Sequence, residues 1–430
     1  MCHESVCSPR RDFRAEGNCK GEEKDMQQGF DKKRELSPQK RGEPEIRAYL
    51  DNSATTRPCR EAVEAAARSM EENWGNPSSL HTMGFLAEQE LKKSREAVAG
   101  ALSCRPEEIV FTSGGTEADN LAIFGAAYNR IRRGKHIVTT AIEHPAVLNA
   151  MKQLEKEGFS VTYLMPDRFG WITPEQVYEA VREDTILVSM MAVNNEVGSI
   201  LPLEAAARAI REKGAPALFH VDAVQAFGKL PLRPNQAGVD LMTVSGHKIH
   251  GPKGIGALYI RKGVHLAPRV FGGGQEQNIR PGTEPMPLIA AFGAAVKALP
   301  NHREEEERIR GLNVLLRKKL AAMPEVKIHS LEKGLPYIVN LSAGTVRAET
   351  MLHFLAEKGV FVSTGSACAK GKESHVLAAM GLPKEEITSS LRVSFSRMNT
   401  EEDVEAFTSA LEEGLSILAR KGVSRLRKLS

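Results

Sequence analysis

Lys248 stands in Ser245-Gly-His-Lys-Ile-His-Gly-Pro-Lys-Gly254, where an apolar strand pattern breaks into a glycine-rich turn. Hydroxyl, backbone amide and imidazole donors beside one amine could hold an anion and form a Schiff base. A basic surface turn is the alternative, because Lys253, Arg261 and Lys262 are close in sequence. Ser113-Gly-Gly-Thr116 leads from an apolar run into a helical stretch, so its amides would face an anion such as phosphate. No Gly-Lys-Ser/Thr follows, so this is not a Walker loop. Asp222 closes the apolar run Leu218 to Val221, with Gln225 one turn later. A carboxylate there could pair with a cationic ring nitrogen or cap a helix. His144 precedes Pro145 at a helix start, placed to stack on a planar cofactor and shuttle protons, or to sit as a satisfied surface histidine.

Three further groups could take part. In Asn194-Asn195-Glu196 one amide could bind a substrate or cofactor oxygen, or the segment could be an ordinary turn. Cys368 lies in the small-residue stretch Gly365-Ser-Ala-Cys-Ala-Lys-Gly-Lys372, where two lysines would lower a thiol's pKa and favour a nucleophile. Arg392 alternates with apolar neighbours in Ser390-Leu-Arg-Val-Ser-Phe395. An inward guanidinium needs a carboxylate, supplied by substrate or by an internal salt bridge. His247 and His250 flank Lys248 at a metal-like spacing, but no HExxH pattern or third ligand accompanies them, so no metal site is expected.

These residues need a frame. From about residue 109 short apolar runs alternate with helical stretches, which reads as an α/β core with a mostly parallel sheet. Expected strands are Ile109 to Thr112, His136 to Thr139, Val161 to Met165, Ile186 to Met191, Leu218 to Val221, Leu241 to Val244 and Ile255 to Ile260. Helices are expected near 116–132, 145–157, 174–182 and 203–213. The chemical residues fall just beyond strand ends, where open α/β sheets bind ligands. Residues 271–283 lack periodicity and read as a long loop, functional or merely mobile.

At 430 residues the chain exceeds one ordinary core, so two domains are expected. The proposed division is a large domain over 47–300 and a smaller α+β domain over 301–430, with residues 47–56 packing on the latter. The final helix should be capped by Thr400 with Asp403 at N3, and Val404, Phe407, Leu411, Leu415 and Leu418 should form its buried stripe. Residues 1–46 hold ten Lys or Arg and ten Asp or Glu with few large apolar residues, and read as disordered. Cys2, Cys7 and Cys19 match no compact metal spacing.

The remaining cysteines are scattered without a disulfide pattern, which points to a reducing cytoplasm. No run of about 18 apolar residues suggests a membrane span, and no signal peptide is apparent. The net charge is +4 and the tail from Arg420 is basic, but a solvated face is the simpler reading than nucleic-acid binding.

Taken together, Tyr49-Leu-Asp-Asn-Ser-Ala-Thr-Thr56, Gly75-Asn-Pro-Ser-Ser-Leu-His81, the Ser113 to Asn120 turn, the Lys248 segment and Gly365-Ser-Ala-Cys368 resemble the NifS/IscS-type cysteine desulfurases. These belong to the class V aminotransferase group of fold-type I pyridoxal-phosphate enzymes, and the likeness spans about residues 47–419. It implies a seven-stranded, mostly parallel sheet and pyridoxal 5'-phosphate as cofactor. Lys248 would be the Schiff-base lysine. Thr116, Ser245, His247 and the Gly115 backbone would hold the phosphate, joined by Thr283 from the partner of a homodimer. His144 would stack on the ring, Asp222 pair with its nitrogen, and Gln225 contact its oxygen. Asn195 and Arg392 would orient L-cysteine, and Cys368 would take its sulfur as a persulfide for an acceptor protein in iron-sulfur assembly or tRNA thiolation.

The Ser-Ala-Cys context is similar to the class with a long mobile cysteine loop, placed near 363–375; the Arg-x-Gly-His-His-Cys segment of the other class is absent. Many relatives have Ser-Leu-Gly-Arg where this chain has Ser394-Phe-Ser-Arg397, and the 46-residue extension has no counterpart. The extension leaves partner choice open. Another enzyme of the same fold, an aminotransferase or selenocysteine lyase, remains the alternative.

Overall fold

Alternating buried runs and amphipathic helices build one twisted sheet before residue 261 and a smaller one after 325. The computed structural model describes residues 45–364 and 373–426, the stretch 419–426 as backbone only. The strands are β1 (Ala48–Tyr49), β2 (Ile109–Thr112), β3 (His136–Thr140), β4 (Ser160–Leu164), β5 (Thr185–Met191), β6 (Leu218–Asp222), β7 (Leu241–Ser245), β8 (Gly256–Ile260), β9 (Val326–Ile328), β10 (Ile338–Ala343), β11 (Val360–Phe361) and β12 (Ser390–Ser394). Seven form one sheet in the order β2-β8-β7-β6-β5-β3-β4. Its neighbours run parallel except β8, which is antiparallel to both β2 and β7. Helices on both faces explain why the central strands read as continuous apolar runs rather than alternating ones.

Two histidines inside this sheet show how polar groups are tolerated there. His136 bridges Thr185 Oγ1 and Thr162 Oγ1 at 2.8 and 2.9 Å, and His220 bridges Ser189 Oγ and Thr243 Oγ1 at 2.9 and 3.1 Å. Each ring therefore links three adjacent strands. Burial pushes His220 down to about 3, so it is a neutral bridge rather than a charge. Asp119 lies 3.6 Å from it, but burial holds that carboxyl well above its ordinary range.

A second sheet has the order β12-β10-β9, all antiparallel. β1 pairs in parallel with β11, and Asp51 bridges to Ser394 at the end of β12. Asn52 Nδ2 donates to Ser394 O at 2.8 Å, and Ser53 N donates to Ser394 Oγ at 2.8 Å. These bonds fix the segment 51–54 that leads into the site. The last helix, Glu401–Leu426, starts as its sequence suggests: Thr400 N donates to Asp403 Oδ2 at 2.9 Å, and Val404, Phe407, Leu411 and Leu415 are buried.

The aperiodic stretch 271–283 is strapped down. Glu276 is buried and takes Arg95 through both oxygens at 2.6 and 2.8 Å, while also accepting from Phe111 N at 2.7 Å. Glu276, Gln277 and Asn278 all have positive φ, a costly run that this anchoring sustains. Glu276→Ala is expected to cost about 3–5 kcal/mol, because it strands the mostly buried Arg95 without its carboxylate. Chemical denaturation measures this; a loss below about 1 kcal/mol would show that the strap is not structural.

Candidate active site

Four neighbouring strands deliver their chemistry at the same edge of the sheet. At or just beyond the C-terminal ends of β3, β5, β6 and β7 come His144, Asn195, Asp222 and Lys248, and all four line one cavity of about 330 Å³. Gly115, Thr116, Gln225, Ser245, His247 and Arg392 share its walls. Thr283 is exposed and is not part of the lining. Cys368 lies outside the described residues, as do Cys2, Cys7 and Cys19.

Lys248 follows β7 in a single 3-10 turn, Gly246–Lys248. Its Nζ donates to Ser53 O at 2.6 Å and Ala54 O at 2.8 Å. Beneath it, Asp222 is only 7% exposed and its Oδ1 accepts from Val224 N at 2.9 Å. The carboxylate thus caps a turn, not a helix, and the residue lines the cavity. Burial raises the Asp222 carboxyl, while His144 and Lys248 pull it back. His144 caps the helix Pro145–Lys156, with Nδ1 accepting from Ala146 N at 3.2 Å. Its neutral ring therefore carries the proton on Nε2, and burial lowers its pKa against the pull of Asp222. His247 is pushed down to about 3, by burial first and Lys248 next, and its Nδ1 lies 3.3 Å from Thr55 Oγ1.

The helix Gly115–Arg130 points its first turn at the same space. Gly114 has φ +151, and a Cβ on Gly115 would come within 2.9 Å of Val224 Cγ2. The two glycines thus let the helix start close against the β6 end of the cavity.

Of the paired amides, Asn194 is structural: its Nδ2 donates to Ile142 O and its Oδ1 accepts from Glu196 N and Val197 N. Asn195 lines the cavity. Arg392 is 1% exposed and binds Asn195 O and Asp51 Oδ1, each at 2.9 Å. The internal salt bridge is real, yet Arg392 Nε is buried with no hydrogen-bond partner among the described residues. That orphaned donor leaves the guanidinium able to take a further anion.

Sequence reasoning assigned no role to Asp51, Ser53, Ala54, Glu143, Glu196 or His375. Asp51 to Ala54 lie in the Tyr49 to Thr56 segment, which carries part of the family resemblance. His375 lines the cavity and its Nε2 donates to Glu143 O at 2.9 Å. Glu143 is buried, with Oε1 accepting from Thr140 Oγ1 at 2.7 Å and Met191 N at 2.9 Å, and Oε2 without a hydrogen-bond partner among the described residues. Burial pushes its carboxyl from 4.5 up to about 8.

A folded-state pKa raised in this way means that the native protein keeps a proton the unfolded chain has lost, so stability falls as pH rises from about 4.5 to about 8. Glu143→Gln keeps an acceptor for both donors and has no proton to lose. Thermal melting at about pH 5 and about pH 8 should show the parent losing stability relative to the variant, on the order of a few kcal/mol. Equal pH slopes would contradict a buried neutral carboxyl.

A model of the aminotransferase class-V family matches residues 48–407. Relatives narrow this further. Cysteine desulfurase IscS of Methanosarcina thermophila is 43% identical over 370 residues, covering 85% of this chain and 91% of the relative. The protein of the same name from Escherichia coli O139:H28 is 43% identical over 391 residues, covering 89% and 94%. The chain belongs to the class-V aminotransferase family, in its cysteine desulfurase group. Among solved structures, a NifS-like protein superposes with a TM-score of 0.82 at 39% identity, covering 86% of this chain and 100% of that one. SspA in complex with cysteine superposes with a TM-score of 0.72 at 36% identity, covering 81% and 98%.

Members of this family depend on pyridoxal phosphate. The residues present fit that group: a cavity amine on Lys248, a buried carboxylate on Asp222, and a glycine-cleared helix start with the Ser245 hydroxyl beside it. Among the described residues no group of His, Cys, Asp or Glu is placed to hold a metal ion, and no helix is long and apolar enough to cross a membrane.

Proposed function

We propose that this protein is a cysteine desulfurase that takes sulfur from L-cysteine, releases L-alanine and leaves a persulfide on Cys368 for an acceptor protein. The observation that carries the reading is the shared cavity of Lys248, Asp222, His144 and Arg392 in a chain of the desulfurase group. Bound pyridoxal phosphate supplies an electron sink for the bonds at the substrate Cα. Lys248 Nζ would tether it and would hold and move the substrate's Cα proton. Asp222 keeps the ring nitrogen's proton, and His144 Nε2 offers a donor beside it. Gly115 N–H, Thr116, Ser245 and His247 hold phosphate, Gln225 meets the ring oxygen, and Asn195 and Arg392 fix the substrate, the latter through its carboxylate. The Cys368 thiolate attacks the substrate sulfur as the carbon–sulfur bond breaks.

A homodimer belongs to this reading. Trp74, Leu80, Phe85 and Phe271 are large apolar side chains left exposed, which supports a covered face. Thr283, exposed at the end of the strapped loop, is free to reach the phosphate of the other subunit. The acceptors we propose are proteins of iron-sulfur assembly or tRNA thiolation, and the cytoplasm is the compartment, supported by the unpaired cysteines Cys59 and Cys104. The reading is tested by incubating the cofactor-loaded protein with L-cysteine and a thiol reductant, with no 2-oxo acid. Alanine and sulfide should appear in equal amounts; pyruvate with ammonia in place of alanine would mark a β-eliminating lyase, and 3-mercaptopyruvate limited to one equivalent per site would mark a transaminase.

A further inference from the structure

Lys229 is a buried cation that the proposed chemistry does not use. It ends a tight turn at 224–229, directly after Gly228. Gly228 has φ +72, and a Cβ there would come within 2.9 Å of Ile249 Cγ2 and 3.0 Å of Leu299 Cδ2, so the chain passes only as glycine. Beyond it the lysine side chain turns inward and is 7% exposed. Its Nζ donates to Gln225 Oε1 at 3.3 Å and lies 5.6 Å from the centre of the Tyr337 ring. The charges acting on it come from Lys248 and Arg392, both cations, and burial with that repulsion holds its amine down to about 7. Packing alone gives no reason for an amine here, since an apolar chain of equal length would fill the space without desolvating a donor.

What the amine adds is direction. A glutamine amide fits its site equally well either way round until a partner distinguishes oxygen from nitrogen. With Lys229 donating to Oε1, Gln225 Nε2 is turned to Ser53 O at 2.9 Å, and that carbonyl also receives Lys248 Nζ at 2.6 Å. We propose that Lys229 is a positioning residue of the cofactor cavity, which fixes the Gln225 amide and, through the Ser53 carbonyl they share, the Lys248 amine. The proposal rests on the reading of Lys248 as the cofactor lysine. Without the donor, a flipped amide would set Oε1 against Ser53 O, two acceptors facing each other beside Lys248.

The test uses full-length protein loaded with pyridoxal phosphate, comparing parent, Lys229→Met, Gln225→Leu and the double variant for visible absorbance, kcat and KM with L-cysteine. Lys229→Met should lower kcat about tenfold and move the visible band, with KM changed less than about twofold. Gln225→Leu, which also loses the ring-oxygen contact, should cost at least as much, and adding Lys229→Met to it should then cost little more, because the link that Lys229 acts through is already cut. Lys229→Gln, which keeps an N–H donor, should recover most of the loss and guards against a variant that fails to fold. Parent-like kcat and absorbance in Lys229→Met, or independent multiplying losses in the double variant, would overturn the proposal while leaving the cofactor reading intact. A parent protein without a visible band would overturn that reading and this inference with it.

Discussion

Lys248→Ala, supplied with pyridoxal phosphate, is expected to show no lysine-linked visible absorbance and to release alanine from L-cysteine on the order of 10⁴-fold more slowly than the parent. Two roles fall on one atom. Nζ is the only cavity amine positioned by hydrogen bonds to Ser53 O and Ala54 O, among the described residues, and it is also the proposed carrier of the Cα proton. Alanine leaves the carbonyls in place and removes both roles, so the loss falls on kcat more than on folding. Absorbance spectra and single-turnover alanine release measure it. A variant that keeps the visible band would place the tether elsewhere.

Asp222→Asn is expected to lower kcat by about 10³-fold while the protein still folds and binds the cofactor. The substitution keeps an acceptor for Val224 N and nearly the same volume. It removes charge at a place where charge is concentrated. Burial raises the carboxyls of Asp119, Glu143 and Asp222 alike, but His144 and Lys248 pull Asp222 back, so Asp222 is the carboxylate that would face a cationic ring nitrogen. In so dry a setting one fixed charge opposite another is worth several kcal/mol, which is the scale of a 10³-fold effect. Steady-state kinetics with a cofactor titration separate the two quantities; a fall of less than about fivefold would mean that the charge is not used.

Much of this arrangement was legible because its signals are local. Both faces of the large sheet are covered, so most of its strands appear as short apolar runs, and the polar breaks after β2, β3, β5, β6 and β7 mark strand ends where cavity residues gather. Helix starts were equally readable from Gly115, from Pro145 behind His144, and from Thr400 with Asp403. The less legible parts depend on groups far apart in sequence. β1 is two residues long and exists only by pairing with β11. The carbonyls of Ser53 and Ala54 that hold Lys248 are backbone atoms, which no residue type announces. Arg392 was recognised as an inward cation, but its partner Asp51 lies 341 positions away. The antiparallel course of β8 and the strap from Glu276 to Arg95 likewise follow from tertiary packing rather than from any local pattern.

In the proposed reading, sulfur transfer rests on Cys368. The most direct measurement is to incubate parent and Cys368→Ala protein, both loaded with pyridoxal phosphate, with L-cysteine, and to quantify alanine while mapping persulfide by mass spectrometry. The account predicts alanine and a persulfide on the Cys368 peptide in the parent, and neither above background in the variant, although its visible band is unchanged. Alanine release at the parental rate from Cys368→Ala, or a parent that turns over L-cysteine with no persulfide at that residue, would contradict it.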